Sequence, residues 1–140
     1  MEYVVQVMHE DESPRYQTYC LALYESWDEG AIGFEFQRDL RDPSDPRAWN
    51  PPVYCVVNGA HDASYGGVRR VNWIGGSVEM EFTPESALEL GIAGEIVKLA
   101  FAGNIRDVES IKRGLVRIFS YGPPDQRPEL IGFDTPAVGS

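Results

Sequence analysis

Residues 53–82 contain the pattern that most constrains the fold, because strand-like runs alternate there with glycines. Three runs have the length and the apolar, β-branched composition of strands, namely residues 53–58, 64–74 and 77–82. In the third run the apolar side chains of Val78, Met80 and Phe82 alternate with the carboxylates of Glu79 and Glu81. A period of two places these two sets on opposite faces of a strand. The pattern therefore predicts a sheet with one buried face and one solvated, acidic face.

Two glycine pairs interrupt this stretch. Gly75 and Gly76 stand between two strand-like runs, and glycine adopts positive φ without steric cost, so this pair predicts a hairpin turn. Gly66 and Gly67 interrupt a single strand-like run, which indicates a bulge or a close backbone approach. We expect this second pair to be a backbone requirement rather than a ligand site, with at least one of the two glycines at φ > 0 or in a bulge.

The remaining periodicities predict one α+β domain. Further strand-like runs cover residues 3–8, 16–24, 31–38 and 95–102. Thr83 can cap a short helix over residues 84–90, and apolar residues at helical spacing predict a second helix over 105–119. We predict a single, mainly antiparallel sheet of about six or seven strands, with the two helices covering one face. The predicted core comprises Val78, Met80, Phe82, Leu99, Phe101, Ile111 and Leu115.

Length and composition fit a single cytosolic domain. A chain of 140 residues with 43% apolar residues can bury one core. No apolar run approaches the roughly 20 residues of a membrane span, and the first residues do not resemble a signal peptide. Cys20 and Cys55 lie in apolar runs, so we expect buried, reduced thiols and no metal or redox motif. We expect residues 1–120 to form the domain and the Pro/Gly-rich residues 121–140 to be flexible or to lie on the surface.

The charge of the chain limits its partners. Twelve basic and 22 acidic residues give a formal net charge of −10, and the excess of acids is concentrated in residues 1–60. Such a field repels nucleic acids and anionic membranes, and it attracts basic proteins. An acidic composition that serves solubility alone is the competing interpretation.

The sequence of residues 39–52 predicts a long irregular loop, because its four prolines are incompatible with a helix or a paired β-strand. Asp42 and Asp45 make this loop acidic. Trp49 either anchors the loop on the core or contacts a partner. A loop of this length in a small domain favours a binding function.

No pattern of catalytic residues is present in the sequence. His9 lies in an acidic turn, His61 lies in a glycine-containing turn, and neither has an evident partner. Glu79 and Glu81 would act as acid and base only inside a cleft, whereas an exposed ladder of carboxylates is the more common arrangement. We therefore predict that the protein is not an enzyme and that it binds neither a metal ion nor a cofactor. The alternatives are a small-molecule-binding or catalytic α+β domain with a pocket between sheet and helices, and an assembly subunit with a large apolar surface.

Several motifs, taken together, carry a family resemblance. They are Phe36-Gln37-Arg38-Asp39-Leu40, Tyr54, Tyr65-Gly66-Gly67-Val68, the helix from Thr83 to Gly91, and Ile111, Gly114-Leu115 and Ile118-Phe119. In this order and spacing, over about residues 15–120, the chain resembles the Imm10 family of bacterial immunity proteins, which are cytosolic antidotes to polymorphic or contact-dependent toxins. The resemblance implies a binding function without catalytic residues. The chain departs from the family pattern at Trp49-Asn50-Pro51-Pro52 and in the segment after Ser120.

Charge and resemblance together predict the partner, which is a cognate toxin domain. An acidic antidote attracts a basic toxin, and nucleases have basic surfaces, so the charge favours a nuclease toxin. The contacts that we predict are Asp42, Asp45, Trp49, Glu79 and Glu81. Neither nucleic acid nor a membrane is expected as a partner, and the oligomeric state is left open.

Overall fold

The computed structural model describes residues 1–133, in which ten strands and two α-helices follow one another along the chain. The strands are β1 (Glu2–Val5), β2 (Val7–Ser13), β3 (Thr18–Tyr24), β4 (Gly33–Asp39), β5 (Cys55–Asn58), β6 (Ala63–Tyr65), β7 (Val68–Ile74), β8 (Ser77–Phe82), β9 (Ile96–Phe101) and β10 (Glu129–Ile131). The helices are α1 (Pro84–Glu89), α2 (Val108–Phe119) and a short 3-10 helix (Pro124–Gln126).

The strands form two sheets of five strands each. One has the order β1-β9-β8-β7-β10, with parallel pairs at both edges and antiparallel pairs in the centre, and we call it the mixed sheet. The other has the order β2-β3-β4-β5-β6 and is antiparallel throughout, and we call it the meander sheet. The predicted single sheet of six or seven strands with two helices over one face is therefore wrong.

Two short crossings explain the error, because each divides a run that looks like one strand in the sequence. Gly66 and Gly67 lie between β6 of the meander sheet and β7 of the mixed sheet, with φ of 71° and 86°. Gln6 lies between β1 of the mixed sheet and β2 of the meander sheet. Alternation of apolar and polar residues identifies the buried face of a strand, but it does not show which strand lies beside it. The pattern therefore predicts one sheet for both runs.

The strand β2 also differs from the sequence-based prediction, in which His9 and the following acids formed a turn. These residues form an edge strand that pairs with β3 on one side. Charged residues are common on edge strands because they oppose pairing with other chains. Polar composition alone therefore did not distinguish this edge strand from a turn.

A single core lies between the inner faces of both sheets and the helix α2. Phe34 of the meander sheet and Phe82 of the mixed sheet have ring centroids 6.3 Å apart. Phe119 of α2 makes edge contacts with Phe36 and Tyr54 at 5.9 and 5.1 Å. Of the predicted core residues, all are buried except Phe101, which is partly buried and packs on this core.

Both helices lie on the inner side of the meander sheet. Asp107 caps α2, which packs on β3 and β4, and a Cβ at Gly114 of α2 would meet the side chains of Tyr19 and Leu21. Thr83 caps α1, and Ser86 of this helix bonds Ser64 of β6 at 2.7 Å. This arrangement leaves the opposite face of the meander sheet without a covering helix among residues 1–133.

The chain beyond α2 returns to the mixed sheet. Tyr121 is buried, and β10 pairs in parallel with β7 at the edge of the sheet. The rest of the segment that we expected to be flexible or surface-bound, residues 134–140, lies outside the described residues. Within residues 1–133, no helix is both long enough and apolar enough to cross a membrane.

Candidate partner-binding surfaces

The long loop between β4 and β5 is organised by a buried carboxylate. Asp39, the last residue of β4, is fully buried and accepts hydrogen bonds from the backbone amides of Arg41 (3.0 Å) and Trp49 (2.8 Å). The two amides belong to opposite ends of the loop, so one side chain joins its ends. Trp49 itself is partly buried.

The two predicted acids of this loop serve as turn caps. Asp42 Oδ1 accepts from the amide (2.9 Å) and the hydroxyl (2.7 Å) of Ser44. Asp45 accepts from the backbone amide of Arg47 (2.8 Å) and forms an ion pair with its guanidinium (3.1 Å). Hydrogen bonds from Ser44 lower the pKa of Asp42, and hydrogen bonds from Arg47 lower that of Asp45. Both groups therefore stay ionised, and part of the charge of Asp45 is compensated locally.

Glu79 and Glu81 lie on the outer face of the mixed sheet, where the acids have cationic neighbours. Glu81 lies 3.7 Å from Arg69 and 3.4 Å from Arg70. Glu79 is the register partner of Lys98 on β9. The structure thus places the five predicted contact residues on two separate elements: the loop of the meander sheet and the outer face of the mixed sheet.

Sequence reasoning missed a third surface, the outer face of the meander sheet. Its residues alternate with the core residues of the same strands, and they are Cys20, Ala22, Tyr24, Glu35, Gln37, Cys55, Val57 and Tyr65. Glu35 accepts a hydrogen bond from Gln37, and within residues 1–133 no Lys or Arg forms an ion pair with it. One signal was available, since residues 16–37 contain neither Lys nor Arg.

The negative charge of Glu35 acts across this face. Burial, followed by the charge of Glu35, raises the pKa of the Cys20 thiol to about 12 and that of Cys55 to about 11. The same two causes raise the pKa of Tyr24. A negative neighbour disfavours a second anion, so the direction agrees for all three groups.

An aromatic notch adjoins this face at the loop between β3 and β4. The Trp27 ring lies 6.5 Å from the ring centroids of both Tyr24 and His9. Beside it is an open cavity of about 200 Å³, whose lining includes Tyr24, Trp27, Asp28, Glu29 and His61. Aromatic walls and acidic side chains in one notch suit a cationic side chain.

Other polar clusters have structural contacts. Ser64 bonds Ser86 and the carboxylate of Glu89 (2.9 Å), which holds α1 against β6. A second cavity of about 190 Å³ is lined mainly by apolar groups and backbone, including Tyr3 and Phe34. In the part of the chain that the structure describes, no group of three or more His, Cys, Asp or Glu could hold a metal ion.

Comparison with known proteins identifies the family. The molecule is a two-sheet α+β domain, and residues 4–109 match the family described as Immunity protein 10 (Imm10), which covers more than half of the chain. The chain therefore belongs to the Immunity protein 10 family, as its motifs indicated. No curated protein matches it.

Proposed function

We propose that this protein is a non-catalytic immunity protein that binds a cognate bacterial toxin domain in the cytosol and neutralises it. The observation that carries the proposal is the Imm10 match over residues 4–109. An immunity protein of this kind acts by occupying a surface of the toxin, so it needs no catalytic group of its own.

The charge of the chain supports a basic partner. A net charge of −10 accelerates encounter with a positively charged protein through long-range attraction. Enzymes that cleave nucleic acids need positive surfaces to bind phosphates, so a nuclease toxin is the partner that this charge fits best.

The acidic contacts that we propose from the sequence are Asp42, Asp45, Glu79 and Glu81, with Trp49 as an aromatic anchor. The loop around Asp42 supports this role, because hydrogen bonds hold its carboxylates in fixed positions. The ion pairs of Glu81 with Arg69 and Arg70 reduce the net charge that the mixed sheet offers to a partner.

Co-expression provides the direct test of function. The probe is the toxin domain encoded by the reading frame next to the gene of this protein. We expect the toxin alone to arrest growth of the host and co-expression of the immunity protein to restore it. Growth arrest that persists despite soluble, folded immunity protein would contradict the proposal.

Association kinetics test the role of charge. We expect the association rate to fall as ionic strength rises past about 0.15 M, where the screening length is about 8 Å. Changing Asp42, Asp45, Glu79 and Glu81 to their amides should slow association and weaken its salt dependence. Trp49→Ala should raise the dissociation rate and weaken binding by about 2 kcal/mol. An unchanged rate for the amide variant at every salt concentration would exclude these acids as the steering surface.

A further inference from the structure

The two outer sheet faces of this protein differ in how their acids are compensated. On the mixed sheet, Arg70 contacts both Glu81 (3.4 Å) and Glu129 (3.1 Å), and Lys98 lies 4.0 Å from Glu2. Pairs of this kind cancel most of the field that a partner would feel. Most acids of the mixed sheet therefore have a cationic partner, and Glu79 is in register with Lys98.

Within residues 1–133, the acids on the outer face of the meander sheet have no such ion pairs. Among the described strand residues of this sheet, Arg38 is the one Lys or Arg, and it lies on the inner side, with its guanidinium 4.4 Å from the ring centroid of Tyr121. Glu35 and Asp11 occupy outer positions in register with Ala22 and Cys20, respectively. Neither carboxylate forms an ion pair with a Lys or Arg in residues 1–133. Both acids of this face therefore present a negative charge that no Lys or Arg of the described residues pairs with.

The shape of this face also suits a protein partner. Small side chains, Ala22, Cys20 and Cys55, occupy its centre, while large aromatic rings stand at its border. Trp27 is 60% exposed and Tyr65 is 56% exposed. Exposed Trp and Tyr around a shallow centre are typical of the residues that dominate binding energy in interfaces.

We propose that the outer face of the meander sheet, centred on Glu35 and Trp27, docks a basic segment of the toxin. An Arg or Lys side chain of that segment enters the notch beside Tyr24 and Trp27 and makes cation–π contacts with their rings. The carboxylates of Asp28 and Glu29, which line the same notch, attract its positive charge. This inference rests on the proposed function and names the contact surface.

Charge complementarity identifies the occupant. A second copy of this chain would bring Glu35 and Asp11 against the same acids across a two-fold axis, because an isologous interface places one patch against itself. Like charges in contact oppose such a pair. A cationic segment meets the same acids with opposite charge, and its apolar stem can cover Ala22 and Cys55.

A peptide titration tests the surface without the toxin. The probe is hexa-arginine, added to the isotopically labelled protein at low salt and followed by NMR. We expect chemical-shift changes centred on Tyr24, Trp27 and Glu35, and at least a tenfold weaker affinity for Glu35→Gln or Trp27→Ala. Glu2→Gln, an isosteric change on the mixed sheet, is the matched control and should change affinity less than twofold. Shifts centred on the mixed sheet, or equal effects of Glu35→Gln and Glu2→Gln, would overturn the inference.

Binding to the toxin domain tests the same surface in its proposed context. For the toxin encoded next to the gene, Trp27→Ala and Glu35→Gln should each raise Kd by about 30-fold, as expected for residues that dominate the binding energy of an interface. Circular dichroism should show the parental fold for both variants, because Trp27 is largely exposed and glutamine matches glutamate in shape. Parental affinity of both folded variants would refute the docking surface and leave the proposed function intact. If the toxin does not bind the parental protein, the proposed function fails, and the peptide titration still decides whether this face is a cation-binding surface.

Discussion

Removing the Asp39 carboxylate should release the loop between β4 and β5 and destabilise the protein. This side chain is fully buried and holds the amides of Arg41 and Trp49 at 3.0 and 2.8 Å. Asp39→Ala leaves both amides without their acceptor. Because the amides of residues 41 and 49 belong to opposite ends of the loop, the loop loses the contact that joins its ends.

The size of the loss follows from the two hydrogen bonds. A hydrogen bond to a charged group contributes about 1.5–3 kcal/mol, so two of them give about 3–6 kcal/mol. Water can reach the loosened loop and form hydrogen bonds with the freed amides. We therefore expect Asp39→Ala to lower the free energy of unfolding by about 3 kcal/mol. The ion pair of Asp39 with Arg41 is long, at 3.9 Å, and adds little. Asp39→Asn keeps one acceptor oxygen and should lose about half as much.

Urea denaturation followed by tryptophan fluorescence measures this effect. We expect Asp39→Ala to lower the unfolding midpoint with an unchanged m-value, since the core itself is intact. Asp42→Ala is the matched control, because it removes an exposed turn cap in the same loop. A loss below about 1 kcal/mol for Asp39→Ala, or equal losses for the two variants, would refute the role of Asp39 as the organiser of the loop.

Three other changes test the fold. Leu115→Ala should cost about 2–5 kcal/mol in chemical denaturation, and a cost below about 1 kcal/mol would mean that α2 is not packed there. Gly67→Ala should lower the melting temperature far more than Gly75→Ala. Both glycines have positive φ, but only a Cβ at position 67 would collide with Ser86. Equal shifts of the melting temperature would contradict the close approach at Gly67. Cys20 should resist thiol reagents at pH 8 until the chain unfolds, because its pKa of about 12 leaves almost no thiolate; labelling of the native protein at the unfolded rate would contradict the environment described.

Local features of the fold could be predicted from the sequence because they depend on neighbouring residues. The alternation of Val78, Met80 and Phe82 places these residues in the core, where they are buried. Thr83 caps α1 by accepting a hydrogen bond from the amide of Ser86 (3.2 Å). In both cases the physical cause lies within a few residues of the effect.

The pairing of strands depends on contacts between distant residues, which the sequence pattern does not contain. The chain passes between the sheets at Gln6 and at Gly66-Gly67, and at each point the next strand continues the same periodicity. Glycine is needed at the second crossing because both residues have positive φ. The same local signal fits a bulge within one strand, so one sheet was predicted where two exist.

The electrostatic character of the candidate surfaces could not be predicted for the same reason. Glu79 and Glu81 form an acidic pair in the sequence, but the neighbouring strands bring Arg70 and Lys98 to the same face. Glu35 is flanked at alternate positions by Gly33 and Gln37, and no Lys or Arg in residues 1–133 forms an ion pair with it. Effective surface charge depends on cross-strand neighbours rather than on the number of acids in one strand.

These cross-strand neighbours determine how the fourfold amide variant must be interpreted. Removing the charge of Glu81 leaves Arg69 paired with Glu95 and Arg70 paired with Glu129, so that part of the mixed sheet becomes less negative. It would then attract a basic toxin less strongly even if the toxin docks elsewhere. Two double amide variants, one at Asp42 and Asp45 and one at Glu79 and Glu81, should therefore replace the fourfold variant. The association and dissociation rates of each should be measured over a range of salt concentrations. If the toxin docks on the outer face of the meander sheet, each double variant should change the association rate and leave the dissociation rate unchanged. Glu35→Gln should then change the association rate and the dissociation rate. An increase in the dissociation rate for the Glu79/Glu81 pair that matches that of Glu35→Gln would place the mixed sheet in the interface.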